Sequence, residues 1–309
     1  MRVLVTGGAG FLGSALANAL VAGGHEVLAL DDLSAGDPAR LAPEVLFHRG
    51  SVLDRPKLWT LLQGVDCVYH LAARVLVAES VLYPAEYNTV NVGGTVSLLE
   101  AMRDTGAPRV ILASSGAVYG LQETQPVSEQ TRPNPRSPYA VSKLAAEYYL
   151  HTIGALWNIE TVALRIFNAY GPHQALPASH APVVPRFLQQ ALGGGSLVLF
   201  QDGQQTRDFV YVEDVVTALM AAATAPGINR QTLNIGSGAE TSIGALAELV
   251  LRLTHSSSNV LRSPVEDGGV SQLCADLTLA ERVLGYRPRY SLEQGLRRTL
   301  AEDPRFRHK

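Results

Sequence analysis

Cysteine is nearly absent. The 309 residues contain two, Cys67 and Cys274, both within apolar stretches, which excludes a disulfide framework and suits small core residues. The eight histidines show none of the His/Cys spacing of a metal site. Charge is sparse too: 17% of residues are charged, the net charge is −3, and no basic run or acidic tail occurs. Nothing here attracts nucleic acid or a membrane surface, so neither is expected as a partner. No apolar run is long enough to span a bilayer, and the opening "MRVLVTGG" reads as a buried strand rather than a signal peptide. The expected compartment is the cytoplasm.

What is present is apolar residue in quantity, 47% of the chain, enough to bury a large core in one or two domains. It is arranged in short runs. Residues 2–6, 26–30, 67–71, 109–114 and 161–167 each suit a strand buried on both faces, and helix-compatible patterns such as 12–22 and 89–103 lie between them. This alternation predicts an α/β fold, a doubly wound parallel sheet of Rossmann type. After residue 172 the pattern loosens into Pro- and Gly-containing segments. The expected organisation is a dinucleotide-binding domain over 1–170, with return segments near 210–236, and a smaller C-terminal α/β substrate domain over most of 171–309.

The first strand runs into "VTGGAGFLG" (5–13). Gly8, Gly10 and Gly13 satisfy G-x-G-x-x-G, and Gly7, Gly10 and Gly13 give a second spacing with three-residue steps. Glycines here allow a tight turn and let phosphate oxygens reach N–H groups at a helix start. A bare strand–helix turn would look similar, but the second strand ends in Asp31, eighteen residues past Gly13. A carboxylate there accepts hydrogen bonds from an adenosine ribose and repels the extra phosphate of NADP, so NAD is the expected cofactor. Asp32 shares that role or faces solvent.

Tyr139 and Lys143 lie four apart in "SPYAVSKLAAEYYL" and so project from one helix face. A phenol ordinarily ionises near pH ~10. A neighbouring ammonium and a positive nicotinamide ring would bring that ionisation toward neutrality. Ser115, at the end of the preceding strand, can hydrogen-bond a substrate oxygen and share its proton with Tyr139. By itself such a Tyr/Lys pair is most simply a solvated helix face; beside the glycine turn and Ser115 it reads as a proton-transfer set.

At this point the chain resembles an extended short-chain dehydrogenase/reductase of the NAD-dependent epimerase/dehydratase group, most like the UDP-glucose 4-epimerases. The resemblance rests on T-G-G-A-G-F-L-G (6–13), H-L-A-A (70–73), N-V-x-G-T (91–95), S-S-G-A-V-Y-G (114–120), Y-x-x-x-K (139–143), L-R-x-F-N (164–168) and R-D-F-V-Y-V-E-D (207–214). It implies a cofactor site that takes in Phe11, Leu12, Ser51, Val52, Leu71, Ala72, Ala73, Val90 and Phe167 besides the glycines, Asp31, Asp32, Tyr139 and Lys143. It implies that Ser115, Tyr139 and Lys143 oxidise C4 of a nucleotide-diphosphate sugar, a UDP-sugar by preference. The ketone then turns and is reduced on its other face.

Dehydrating and decarboxylating relatives carry acid–base carboxylates just after the serine; this chain has Gly116 and Ala117, which move no protons. The 4-epimerase is therefore the leading expectation. A 4-ketoreductase, or a non-catalytic dinucleotide sensor, stands as the alternative. By the same resemblance Asn168 and Arg207 meet the substrate diphosphate, Val198 and Phe200 flank the base, and Leu273 sits near the position that gates sugar size. Arg207 would otherwise serve its neighbour Asp208 as a salt-bridge partner. Where relatives present a second arginine this chain reads Glu266-Asp267-Gly268-Gly269, with Arg262 as a substitute; Pro182 and Val75 replace an asparagine and a lysine. Helices near 89–103 and 139–153 carry apolar residues on more than one face, and relatives pair two such helices across a homodimer interface.

Overall fold

A computed structural model describes residues 1–177, 180–200, 202–263 and 272–307. The chain runs β1 (Arg2–Thr6), α1 (Phe11–Ala22), β2 (Glu26–Asp31), β3 (Leu46–Arg49), α2 (Arg55–Leu61), β4 (Cys67–His70), α3 (Val77–Leu82), α4 (Pro84–Tyr87), α5 (Gly94–Thr105), β5 (Arg109–Ser115), α6 (Pro138–Trp157) and β6 (Glu160–Ile166). It continues with β7 (Asn168–Tyr170), α7 (Val183–Leu192), β8 (Leu197–Phe200), β9 (Thr206–Tyr211), α8 (Val212–Thr224), β10 (Gln231–Ile235), β11 (Glu240–Ser242), α9 (Ile243–Thr254), β12 (Val260–Ser263), α10 (Thr278–Leu284) and α11 (Leu292–Glu302).

Seven of the strands form one parallel sheet in the order β10-β6-β5-β4-β1-β2-β3. Its inner strands are buried along their length apart from end residues such as Arg2 and Glu160, because both faces are covered, which is why they read as continuous apolar runs rather than alternating ones. The strand order reverses between β1 and β4, so the crevice at their C-terminal ends is where a doubly wound sheet binds its ligand. Two small sheets, β11-β9-β7 and β12-β8, lie beyond those ends. Asp208 on β9 ties the second part of the chain together: its buried carboxylate accepts from Ser237 N (2.5 Å), Gly238 N (3.0 Å), Ala275 N (3.1 Å) and the Ser237 hydroxyl (2.6 Å).

Helix α6 shows how local sequence sets an element. The Ser137 hydroxyl accepts from Ala140 N at 3.2 Å, Pro138 fills the first helical position where no N–H is needed, and Asn158 ends the helix in the left-handed region at φ 56°. Tyr139, Lys143 and Glu147 follow at four-residue steps on its buried face. α5 continues from a π-helical turn over Asn88–Gly93, so the helix expected from residue 89 has a wider first turn.

His70, at the end of β4, is buried between two hydroxyls. Thr95 gives its proton to Asn91 O (2.7 Å), so His70 Nε2–H donates to Thr95 (3.1 Å) and Nδ1 accepts from Thr6 (2.7 Å). The neutral ring satisfies both neighbours. Burial, helped by the charge of Lys143, lowers its pKa from 6.5 to about 3. Between those values the unfolded chain holds a proton that the folded chain refuses, so stability falls as pH drops from 6.5 toward 3. His70→Gln should flatten that acid slope by up to about 1.4 kcal/mol per pH unit, while costing about 1–3 kcal/mol at neutral pH. Urea denaturation of both proteins from pH 7 to 4 measures this; parallel slopes would refute it.

Candidate active site

The glycine turn is held at closest approach. Gly7 has φ 69°, and a Cβ there would stand 2.7 Å from Ala72 N on the β4 side; a Cβ at Gly13 would collide with Gly7 O. Gly10 is the N-cap of α1 with no side chain to satisfy the first-turn N–H groups, which therefore open onto the crevice as an anion cradle. Asp31 is buried beside it and accepts from Leu33 N (2.8 Å) and Ala9 N (3.0 Å). Burial pushes its carboxyl up, against the pull of those two N–H groups. Asp32 is exposed and accepts from Ser34 N. Both line one cleft of about 350 Å³.

That cleft brings together every residue expected at the cofactor site. Gly7 and Gly10 to Gly13 form one end, Ser51, Val52 and Val90 a flank, and Leu71 to Ala73 the wall above β4; Ser115, Tyr139, Lys143 and Phe167 close the other end. The cradle and the carboxylate of Asp31 in the same cleft fit NAD. Ser34, Ala35, Gly36, Arg40 and Arg74 also line it; only the Gly36 turn, hard against Asp31, had a sequence signal. Asp54, three residues past Ser51, caps α2 by accepting from Lys57 N.

Ser115 ends β5 and caps the turn Gly116–Tyr119 by accepting from Ala117 N (3.2 Å). Burial raises the Tyr139 pKa, and the Ser115 hydroxyl opposes the rise. Burial lowers that of Lys143 to about 8, with the charge of Glu147 pulling upward. Desolvation thus works against both charges, and a phenolate here needs the ammonium and a bound cation to form. Asn91 fixes the neighbouring wall: it clasps the Arg74 backbone (2.8 and 3.0 Å) and donates to the Ser142 hydroxyl on α6 (2.9 Å).

A second cavity of about 100 Å³ lies beside the first, lined by Asn168, Val198, Phe200 and Arg207, all expected, and by Arg186 and Gln205, which were not. Arg186 sits in the apolar pattern of α7, where a guanidinium stacked near Phe187 and Phe200 (5.3 and 5.8 Å) leaves no periodic trace. The Asp208 carboxylate is engaged by the donors named above, and Arg207 Nη1 donates to Thr206 O. Leu273 lines neither cavity; it is buried against Val118, Tyr119, Val127 and Phe167. Pro182 caps α7, and Arg262 is exposed on β12. Glu266 to Gly269 lie outside the described residues.

The model of the NAD dependent epimerase/dehydratase family matches residues 3–236. The chain belongs to this family. The UDP-glucose 4-epimerase of Mycolicibacterium smegmatis is 38% identical over 307 residues, 97% of each chain. Among solved structures, the UDP-glucose 4-epimerase of Thermotoga maritima with UDP-glucose superposes with TM-score 0.93 at 35% identity, over 97% of this chain and 98% of that one. The Thermus thermophilus UDP-glucose 4-epimerase complex with NAD gives 0.90 at 33%, over 97% and 98%. The epimerase-family resemblance and the Rossmann expectation from the motifs hold on these comparisons.

In this family member Gly13→Ala should abolish NAD retention, because its methyl group would push the Gly7 carbonyl out of the cradle. Fluorescence titration with NADH measures this; wild-type affinity would refute the cradle geometry.

Proposed function

We propose that the protein is an NAD-dependent 4-epimerase of a UDP-sugar. The observation that carries this reading is the Ser115–Tyr139–Lys143 set at the inner end of an NAD-shaped cleft, with no acid or base at positions 116 and 117. Tyr139 as phenolate takes the proton of the C4 hydroxyl while Ser115 hydrogen-bonds that oxygen. NAD held between the glycine turn, Asp31 and Lys143 would supply the hydride acceptor and donor for C4, and its positive ring would add to the field of Lys143. After the 4-keto sugar turns over, Tyr139 gives the proton back to O4. Arg186 and Arg207, across the second cavity with Asn168, supply cations for the diphosphate, which stays held while the sugar rotates. A ketoreductase would use the same three groups but consume reduced dinucleotide each turnover; a sensor would have no use for them.

Proton NMR in D₂O of UDP- and dTDP-sugars, without added NADH or NADPH, tests this. Interconversion of C4 epimers with no deuterium entering the ring is expected; turnover only when reduced cofactor is supplied would reassign the protein to the reductases. Tyr139→Phe should lower kcat by about 10³-fold or more and spare NAD binding. Because Lys143 titrates near 8, kcat should decline as pH rises past about 8, where the ammonium is lost. A rate still climbing at clearly higher pH would contradict that role.

The same reading includes a homodimer. Val141, Tyr148, Tyr149 and Leu156 are exposed along one stripe of α6, the face opposite Lys143, and Val81, Leu82 and Tyr83 extend the patch from the adjoining α3. A second copy apposing this patch buries both. Tyr148→Glu with Leu156→Asp should give a monomer by sedimentation; an unchanged sedimentation coefficient would remove the interface. The two buried free cysteines suit the cytoplasm.

A further inference from the structure

One charged cluster lies directly behind the proposed catalytic set and takes no part in it as described. Glu147 follows Lys143 by one turn of α6 and is 3% exposed. Its carboxylate is gripped by Arg165 of β6, Nη2 to Oε2 at 2.7 Å and Nε to Oε1 at 3.0 Å, and accepts the Ser114 hydroxyl. Sheet register places Ser114 and Arg165 side by side, with Ser115 beside Ile166 on the next rung. The Arg165 guanidinium stacks over Tyr119 at 4.8 Å, and the Tyr119 hydroxyl donates to Asn234 Oδ1 at 2.7 Å. Tyr119 closes the turn that begins after Ser115. One carboxylate thus joins the helix bearing Tyr139 and Lys143 to the strand end bearing Ser115 and to the turn behind it.

We infer that Glu147 is a positioning residue for the reaction: through Arg165 and Ser114 it fixes α6 against the ends of β5 and β6, and it sets a carboxylate one helical turn from Lys143. This rests on the reading of Ser115, Tyr139 and Lys143 as the proton-transfer set. The other groups facing this part of α6 cannot replace it. His70 of β4 is neutral, and His151, one turn further on, is lowered by burial and spends its ring on Thr161 and Thr232. Glu79 of α3 and Glu86 of α4 are drawn to Arg74, and Tyr87 donates to Glu79. Tyr119 stays protonated through burial, and on α5 Thr95 is taken up by Asn91 O and His70 while Arg103 lies at the far end over Trp157. Arg165, a cation, would by itself drive Lys143 toward its neutral form.

Two substitutions separate position from charge. Glu147→Asp keeps the charge and shortens the reach, so kcat should fall about ten-fold with the alkaline limb unmoved and the NAD affinity intact. Glu147→Gln keeps the shape and removes the charge; the alkaline limb should move down by about one pH unit and the Tyr139 ionisation should move up. The phenolate absorbance difference between each variant and the same variant carrying Tyr139→Phe, in NAD-loaded protein, reads that ionisation without any sugar. A shift there in a protein that turns over no sugar would keep the inference and discard the epimerase. Wild-type kcat in Glu147→Asp, or unshifted limbs in a folded Glu147→Gln, would overturn it. Should Glu147→Gln fail to fold with Arg165 unpaired, Glu147→Asp decides alone.

Discussion

Burying a helix face that carries a phenol, an ammonium and a carboxylate in successive turns is the constraint that organises this protein. A single ion moved from water into a protein interior costs several kcal/mol even after relaxation. Tyr139, Lys143 and Glu147 are all under a tenth exposed. The arrangement is tolerable because charges alternate through the layer: Arg165 answers Glu147 and Glu147 answers Lys143. The chain by itself leaves Tyr139 above the ordinary phenol range. On the function proposed above, Lys143 is left for a phenolate and proton abstraction is tied to cofactor occupancy, since a site without its dinucleotide lacks the charge that completes the series.

The sheet makes the arrangement possible. Parallel strands end together, so the turns after β1, β4, β5 and β6 all open on one edge, and the reversal of order between β1 and β4 leaves a gap there. Glycine at positions 7 and 13 lets the first turn lie against the backbone at Ala72 and closes that side of the gap. His70 and Asn91 then hold the β4 wall to α5 and α6 by hydrogen bonds between buried polar groups. The H-L-A-A and N-V-x-G-T motifs are thus braces as much as ligand contacts.

The parts legible in sequence are those where chemistry and backbone demand coincide. Strands buried on both faces announce themselves as runs, and Gly7, Gly10 and Gly13 mark a turn that other residues could not make. β3 was missed because it is a four-residue strand at the sheet edge, "LFHR", with too few residues to show a period. Arg186 and Gln205 were missed because one guanidinium in an apolar helix, or one amide in a loop, has no local signature; only folding aims them into a shared cavity. Glu147 did carry a signal, a carboxylate one turn past Lys143 on the face that the apolar residues require to be buried. Its weight came only with Arg165, eighteen residues away in sequence and brought to it from β6 by the fold.

Packing also bears on why this site lacks the extra acid and base of its dehydrating relatives. A Cβ at Gly116 would come within 3.2–3.3 Å of three atoms of the Phe167 ring, itself buried against Tyr119 and Leu273. An aspartate there would need the ring, and with it the wall of the cofactor cleft, to move. Ala117 spends its N–H on the Ser115 hydroxyl. The turn thus offers the proposed reaction one hydroxyl and no carboxylate. Chemistry that needs a second carboxylate between Ser115 and Tyr119 is opposed by the position of Phe167 as well as by the absence of the carboxylate.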